Sequence, residues 1–428
     1  MNSIVNLLRE NAAKETRRSW AQTRVSGQDR SSPPGRRSSR EILLLCATAN
    51  ILPGRKERIS QILAGTIDWR YLLDLAKFHN VAPLIAHNLV NNGLGNLVPQ
   101  PCLERLKQIY NSTLYRNILL SDELTRVLAV FRRHGIAAIV LKGTTLAEQL
   151  YGNPALRTVV DIDIMVRPGE LSSASSLLVE MGYEQLVPPQ TWYHSFHKAP
   201  YRKQRKFPVF IELHWDLEDR RLVAIPQQDI WNRAQWLKLP GGNIMVLSPE
   251  DTLLFLSNNF SKQGGRKLRS VCDIAELIKK YDRVLNWDYI VKSSKSWNIE
   301  VALYYSLRWA HDLLGAPVPI SSVRALKPGV WRRCLLGLLM NQEFFISSIR
   351  LDKLRAETYI VARSLMMKHG RQMLEVLSRY RDAEKGAKWL RTASWVILVF
   401  GAALARNTIR AILGWRSTHS VNIYRIDS

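Results

Sequence analysis

Between Leu141 and Val166 the chain reads LKGTTLAEQLYGNPALRTVVDIDIMV, and the Asp-x-Asp pair near its end constrains the fold more than any other feature. Asp161 and Asp163 are set among Val159, Val160, Ile162, Ile164 and Val166. That run predicts a strand over Val159–Val166. Residues two apart on a strand share a face, so the two carboxylates are expected side by side. Like charges so placed repel each other, and a cation is the usual remedy. Hard divalent ions such as Mg²⁺ take oxygen ligands, commonly one or two carboxylates plus substrate phosphates; Mn²⁺ suits the same donors. The competing arrangement puts Ile162 and Ile164 in the core and both aspartates in water on an exposed sheet surface.

The 428 residues exceed one compact core of ordinary size, so two or three domains are expected. The formal net charge of +25 favours anionic partners: nucleotides, nucleic acid, polyanionic glycans or an acidic membrane surface. Against this stands a basic tail plus a solvated surface. No aromatic-interleaved basic motif of a nucleic-acid module is present. Cys46, Cys102, Cys272 and Cys334 are scattered and form no CxxC, which argues against a zinc site or a disulfide framework and fits a reducing cytoplasm. The most apolar run, Thr392–Ala405, falls short of the roughly twenty residues a spanning helix needs. A buried core helix is the first reading and a peripheral membrane contact through 392–405 the second.

Residues up to Arg40 are rich in Ser, Arg, Pro and Gly near their end and predict a basic disordered tail. Residues before Glu41 are therefore expected to be dispensable for folding. Helical spacing then leads from Glu41 to His134, with Asp68 as the N-cap of Trp69–His79 and Gly135 as the stop of Cys102–His134. After Gly135 the period changes. Ile136–Leu141 reads as a strand, Lys142-Gly143-Thr144 as a turn, and Thr145–Leu150 as a helix. Val209–His214 reads as a further strand after the helix Leu171–Gly182. From Pro249 the pattern is helical again, through Lys267–Lys280, Ile299–Leu314, Leu351–Val361 and Met373–Tyr380.

Within the central module, Glu212 offers a third carboxylate that could converge with Asp161 and Asp163 on one metal pair, as two-ion phosphoryl chemistry requires; the competing reading is a solvated strand acid. His214 shares its strand face and is open to three readings: a ligand, a substrate contact or a structural histidine. Gly143 and Thr144 form a turn at a helix N-terminus, where backbone N–H groups can take a phosphate. Lys142 is placed to neutralise phosphate. Arg157 is read equally as a phosphate contact or as an ion pair that restrains the Tyr151–Arg157 loop. Asp273 and Glu276 are expected on the polar face of a helix whose core face is Ile274, Leu277 and Ile278, in an architectural role, with a substrate contact as the alternative.

The stretch 141–166, followed by IELHWDLE, LSPEDTLLFL and KLRSVCDIAELI, resembles the bacterial "uncharacterised nucleotidyltransferase" family of the DNA polymerase beta-like superfamily. The resemblance covers roughly Asp68 to Tyr281. It implies a turn at Gly143 and Thr144, metal-binding acids at Asp161 and Asp163, and the third acid at Glu212. Departures are Thr144 in place of a smaller residue, a longer spacing from turn to acids, Glu212 where Asp is frequent, and Asn259 and Gln263 where histidines are expected. The resemblance implies an α+β fold with an α/β-like core. A small mixed-sheet module at 135–248 would be flanked by helical regions at 41–134 and 249–428, with the tail at 1–40.

The implied reaction is Mg²⁺- or Mn²⁺-dependent transfer of NMP from an NTP such as ATP to a hydroxyl of a protein, sugar, peptide or small molecule. Asp161, Asp163 and Glu212 would be catalytic and hold the metal, and Lys142, Gly143, Thr144 and Arg157 would bind the nucleotide. A non-catalytic nucleotide- or polyanion-binding scaffold on the same fold is the alternative, and it gains if Glu212 points away from the aspartates. A nucleic-acid enzyme is a third reading. Changing Asp161 and Asp163 together to Asn is expected to leave the fold intact, because it removes a like-charge repulsion.

Overall fold

The computed structural model describes residues 35–187, 197–223, 225–239, 242–265, 267–339, 346 and 361–367. Helices α1 (Arg36–Leu45), α2 (Pro53–Leu63), α3 (Trp69–Phe78) and α4 (Ala82–Asn91) lead into the long helix α5 (Gln100–Arg133). Asp68 caps α3, its Oδ1 accepting from the Tyr71 backbone N–H at 2.9 Å. Gly135, at φ 72°, turns the chain out of α5 in a conformation that other residues adopt only with strain.

The central sheet is built from β1 (Ala138–Val140), β2 (Ile162–Val166), β3 (Glu184–Gln185), β4 (Lys198–Lys203), β5 (Val209–His214), β6 (Gln235–Leu239) and β7 (Gly242–Val246). Among the described residues it has seven strands in the order β3-β4-β5-β2-β1-β7-β6. It is mixed. β2 runs parallel to β5 and β1 parallel to β7, and the other neighbours are antiparallel. Helices α6 (Thr144–Tyr151), α7 (Leu171–Glu180) and α8 (Gln227–Arg233) connect the strands. The C-terminal helices are α9 (Pro249–Lys262), α10 (Leu268–Tyr281), α11 (Trp287–Ser296), α12 (Glu300–Leu314), α13 (Ile320–Ala325) and α14 (Val330–Leu339).

Strand parity divides the core. Ile162, Ile164 and Val166 of β2 and Ile211 and Leu213 of β5 pack with Leu124, Val127 and Phe131 of α5 and Leu171 and Leu178 of α7. The opposite face belongs to a larger cluster. There Ile139 and Met165 meet apolar residues from the N-terminal helices and from α9, α10 and α12. Helices at both ends of the chain thus share one apolar core over one sheet face, and that is the face Asp163 occupies.

Several sequence expectations change. The strand expected over Val159–Val166 begins at Ile162, so Asp161 precedes it. Helix α1 opens at Arg36, inside the expected tail, with Ser39 buried and Arg36 Nε 3.3 Å from Asp68 Oδ2. Deleting residues up to Glu41 would therefore remove half of a packed helix. The polar face of α10 is itself covered: Asp273 and Glu276 are both buried. Thr48 donates to Glu276 at 2.8 Å. All four cysteines are free thiols, and Cys46 and Cys272 are buried. Among the described residues no helix is long and apolar enough to cross a membrane. Thr392–Ala405, most of Leu351–Val361, Met373–Tyr380 and the tail before residue 35 lie outside the described residues.

One buried charge holds α5 to the sheet edge. Glu123 Oε1 accepts from the Tyr183 hydroxyl at 2.9 Å and from Lys203 Nζ at 3.0 Å, and Arg205 Nη1 lies 3.3 Å from Oε2. Burial opposes its ionisation, but Lys203, Tyr183 and Arg205 outweigh it and hold the carboxyl below its ordinary value of 4.5. A depressed folded-state value stabilises the fold above the unfolded value, and that gain is lost as pH falls below it. Glu123→Gln is expected to cost about 2–3 kcal/mol in urea unfolding at about pH 7. The gap to the parent should narrow as pH drops below about 4.5; a gap that stays constant with pH would count against this origin.

Candidate active site

Parallel pairing of β2 with β5 sets Asp163 opposite Glu212. Paired residues on neighbouring strands share a face. His214 follows Glu212 by two and so joins it. Antiparallel pairing sets Lys198 of β4 opposite His214, on the same face. Register alone thus gathers Asp163, Glu212, His214 and Lys198 beneath the C-terminal helical layer.

Asp163 is fully buried, whereas Asp161 keeps 28% of its side chain exposed. Lys142 stands between them, its Nζ 2.8 Å from Asp163 Oδ2 and 3.5 Å from Asp161 Oδ1. Lys198 is ion-paired to Glu212. His214 Nε2 lies 3.2 Å from Asp163 Oδ1 and 3.7 Å from Glu212 Oε2. Three carboxylates and two lysines together carry a formal charge of −1.

The electrostatics follow from this crowding. Burial, then the charge of Asp163, push the Asp161 carboxyl above its ordinary value, against Lys142. Burial also opposes ionisation of Glu212, but His214 and Lys198 outweigh it and hold that carboxyl well below the usual range. For Lys142, burial is the largest single influence and lowers its pKa. Asp163 and Asp161 together outweigh it and raise the ammonium above its ordinary value.

The turn beside the acids requires glycine. Gly143 has φ 86°, and a Cβ there would sit 3.4 Å from the Asp161 carbonyl oxygen. It precedes α6, whose first residue is Thr144. Thr144 is buried, and so is Thr145, whose Oγ1 has no hydrogen-bond partner among the described residues. Arg157 does not reach the acid cluster as a free cation. It is 3% exposed and makes a bidentate pair with Asp273 of α10, Nε to Oδ1 and Nη2 to Oδ2 both at 2.9 Å. Its Nη1 donates to the Gly143 carbonyl at 3.1 Å, and Tyr151 donates its hydroxyl to Asp273 Oδ1 at 2.8 Å. The geometry therefore favours the ion-pair reading of Arg157, with a partner more distant in sequence than the loop itself.

The residues fit a divalent cation. Asp163, Glu212 and His214 each offer a ligand atom, and these atoms lie within 4.8 Å of one another. The two carboxylates suit Mg²⁺ or Mn²⁺. Asp161 adjoins this set through Lys142.

The family model described as "Uncharacterised nucleotidyltransferase" matches residues 65–315, more than half of the chain. The chain belongs to this family. The match spans the helices from α3 onward, the sheet with its acids, and the C-terminal helices to α12. Among solved structures, the chain is similar to an antigenic nucleotidyltransferase-like protein from Paracoccidioides brasiliensis, at 16% identity and a TM-score of 0.29. That match covers 48% of this chain and 94% of the other. No curated protein matches the chain.

A second polar cluster adjoins the acids of the sheet, and sequence reasoning passed over it. Lys262 Nζ lies 2.8 Å from Glu218 Oε2, Asn258 Nδ2 donates to the same oxygen at 2.7 Å, and the His197 and His214 rings are 5.8 Å apart. Burial opposes ionisation of Glu218, yet the charges of Lys262 and His197 hold it down to about 2. Glu218, in the LHWDLE run, and Lys262, at the end of α9, were visible only as ordinary charged positions. Of the two positions where the family pattern led to expected histidines, Gln263 accepts from the Ser270 hydroxyl at 2.9 Å, and Asn259 Nδ2 is buried with no partner among the described residues.

Proposed function

We propose that the protein is a divalent-metal-dependent nucleotidyltransferase of the DNA polymerase beta-like superfamily, moving NMP from an NTP to a hydroxyl acceptor. The observation that carries this reading is the register of β2 with β5, which sets Glu212 beside Asp163 on one face. Asp161 and the Gly143 turn lie next to them. The scaffold alternative would gain from a Glu212 turned away, and Glu212 is not turned away.

Asp161, Asp163 and Glu212 would hold the metal, Mg²⁺ or Mn²⁺, whose chemistry when bound is to neutralise phosphate charge and lower the pKa of an attacking hydroxyl. The chain's own residues position and neutralise. Gly143 and Thr144 present the N-terminus of α6 toward a phosphate. Lys142 can offer its ammonium to the same phosphate from its place between the two aspartates. Arg157 acts indirectly: it pins the Gly143 carbonyl and so holds the turn still. Glu212, kept ionised, can accept the acceptor's proton. Positioning and charge stabilisation would supply most of the rate. The module at 135–248 would carry the chemistry, with the helical regions at 41–134 and 249–428 covering the acid face. The protein would act in the cytoplasm.

The test is incubation of the purified chain with each labelled NTP, Mg²⁺ or Mn²⁺, and pools of protein, sugar, peptide and small-molecule acceptors. Acceptor-bound label with stoichiometric pyrophosphate is expected for one NTP. Tight NTP binding with no pyrophosphate from any pool would favour the scaffold reading. That reading draws on one observation, that Lys142 and Lys198 already neutralise two of the three acids.

A further inference from the structure

We infer that His214 is a metal ligand, completing with Asp163 and Glu212 a one-ion site selective for an imidazole-accepting dication of the Mn²⁺ type, while Lys142 keeps the place of a second ion beside Asp161. The inference deepens the transferase reading and rests on it only for what the ion is used for.

The spacing of the donors is the first argument. Ligands about 2.1 Å from one octahedral ion stand about 3–4 Å from each other. His214 Nε2 is 3.2 Å from Asp163 Oδ1 and 3.7 Å from Glu212 Oε2. Both separations from His214 are those of a coordination sphere, and all three ligand atoms lie within 4.8 Å of one another. A hydrogen bond explains the shorter of these distances but not the longer.

The second argument is the imidazole itself. His214 is 3% exposed, on a strand paired on both sides. Buried ring nitrogens ordinarily find partners. Here Nε2 is directed at two carboxylates, one of them fully buried.

Third, the donor set discriminates between ions. Carboxylates suit Mg²⁺, Ca²⁺ and Mn²⁺, and imidazole suits first-row transition ions. Two carboxylates with one imidazole favour Mn²⁺ over Mg²⁺.

The lysines set the count. Lys142 spans Asp161 and Asp163 and is the less exposed, at 23%. Its unit charge occupies the edge where a paired ion would sit about 3.5–4 Å from the first. Lys198 stands on Glu212 Oε2 but is 34% exposed and can yield to water when the ion enters.

The test uses the full chain without nucleotide. Mn²⁺ is titrated by electron paramagnetic resonance, and the bound ion is examined by pulsed methods for coupling to an imidazole nitrogen. One Mn²⁺ per chain with that coupling is expected. His214→Gln, which keeps a polar side chain but no imidazole nitrogen, should lose the coupling and bind Mn²⁺ at least about tenfold more weakly, while Mg²⁺ binding changes much less. Bound Mn²⁺ without nitrogen coupling in the parent chain overturns the inference whatever the variant does, and so do two ions per chain. Nucleotide transfer by a chain lacking the coupling overturns this inference and leaves the transferase reading standing. Coupling in a chain that transfers no nucleotide does the reverse.

Discussion

Asp163→Asn is expected to lower nucleotidyl transfer by at least about a thousandfold, because charge stabilisation at the reacting phosphate is the largest contribution such a site makes. It should also abolish divalent-ion binding in calorimetry. The fold should survive, since Asn fills the same buried space and Asp161 still faces Lys142 at 3.5 Å. A variant that retains even a tenth of the parent's transfer rate would place the chemistry elsewhere. The double change of Asp161 and Asp163 to Asn is a different case. Repulsion between the two acids suggested that it would be harmless, but Lys142 already compensates them. Removing both carboxylates strands a largely covered ammonium, and a loss of about 1–3 kcal/mol is expected in denaturant unfolding. An unchanged midpoint for the double variant would show that Lys142 finds another partner.

The largest effect on stability is expected at Arg157. The bidentate pair with Asp273 is buried at both ends, 3% exposed on each side. It joins the loop before β2 to α10, and through the Gly143 carbonyl it also holds the turn. Breaking a buried pair from one side leaves an uncompensated charge and typically costs 3–5 kcal/mol, roughly the loss expected for Arg157→Met. Asp273→Leu alone should cost a similar amount, partly because Tyr151 loses its acceptor. The double variant should be less destabilised than the sum, with a coupling energy of at least about 1 kcal/mol in a double-mutant cycle. Additive losses would mean that the guanidinium and carboxylate do not depend on each other. Transfer activity should fall in Arg157→Met at temperatures where the protein is still folded, because the turn that faces the phosphate is no longer pinned.

Some of this architecture could be read locally. Trp69–His79, Lys267–Lys280 and Ile299–Leu314 carry enough apolar periodicity to fall on α3, α10 and α12, and Asp68 and Gly135 mark ends through cap chemistry that depends on neighbouring backbone alone. The strand β5 coincides with Val209–His214 because its alternation is clean. β4, β6 and β7 escaped notice for physical reasons. Lys198–Lys203 holds a proline and three basic residues, and Gln235–Leu239 is largely exposed, so neither run shows the apolar alternation that marks a strand. Their stability comes from pairing with distant strands.

The candidate site divides in the same way. That Asp163 and Glu212 are acids among apolar neighbours, and that a glycine turn stands before α6, is determined by the sequence, because a strand's alternation and a backbone at positive φ depend on local sterics. Which groups meet was decided by the tertiary structure. Register between β2 and β5 brought Glu212 to Asp163, and register between β4 and β5 brought Lys198 to His214. Docking of α10 made Asp273 the partner of Arg157, 116 positions away. Charged side chains are long and their pairings are set by burial, so the partner of a buried charge depends on which chain segments fold over it.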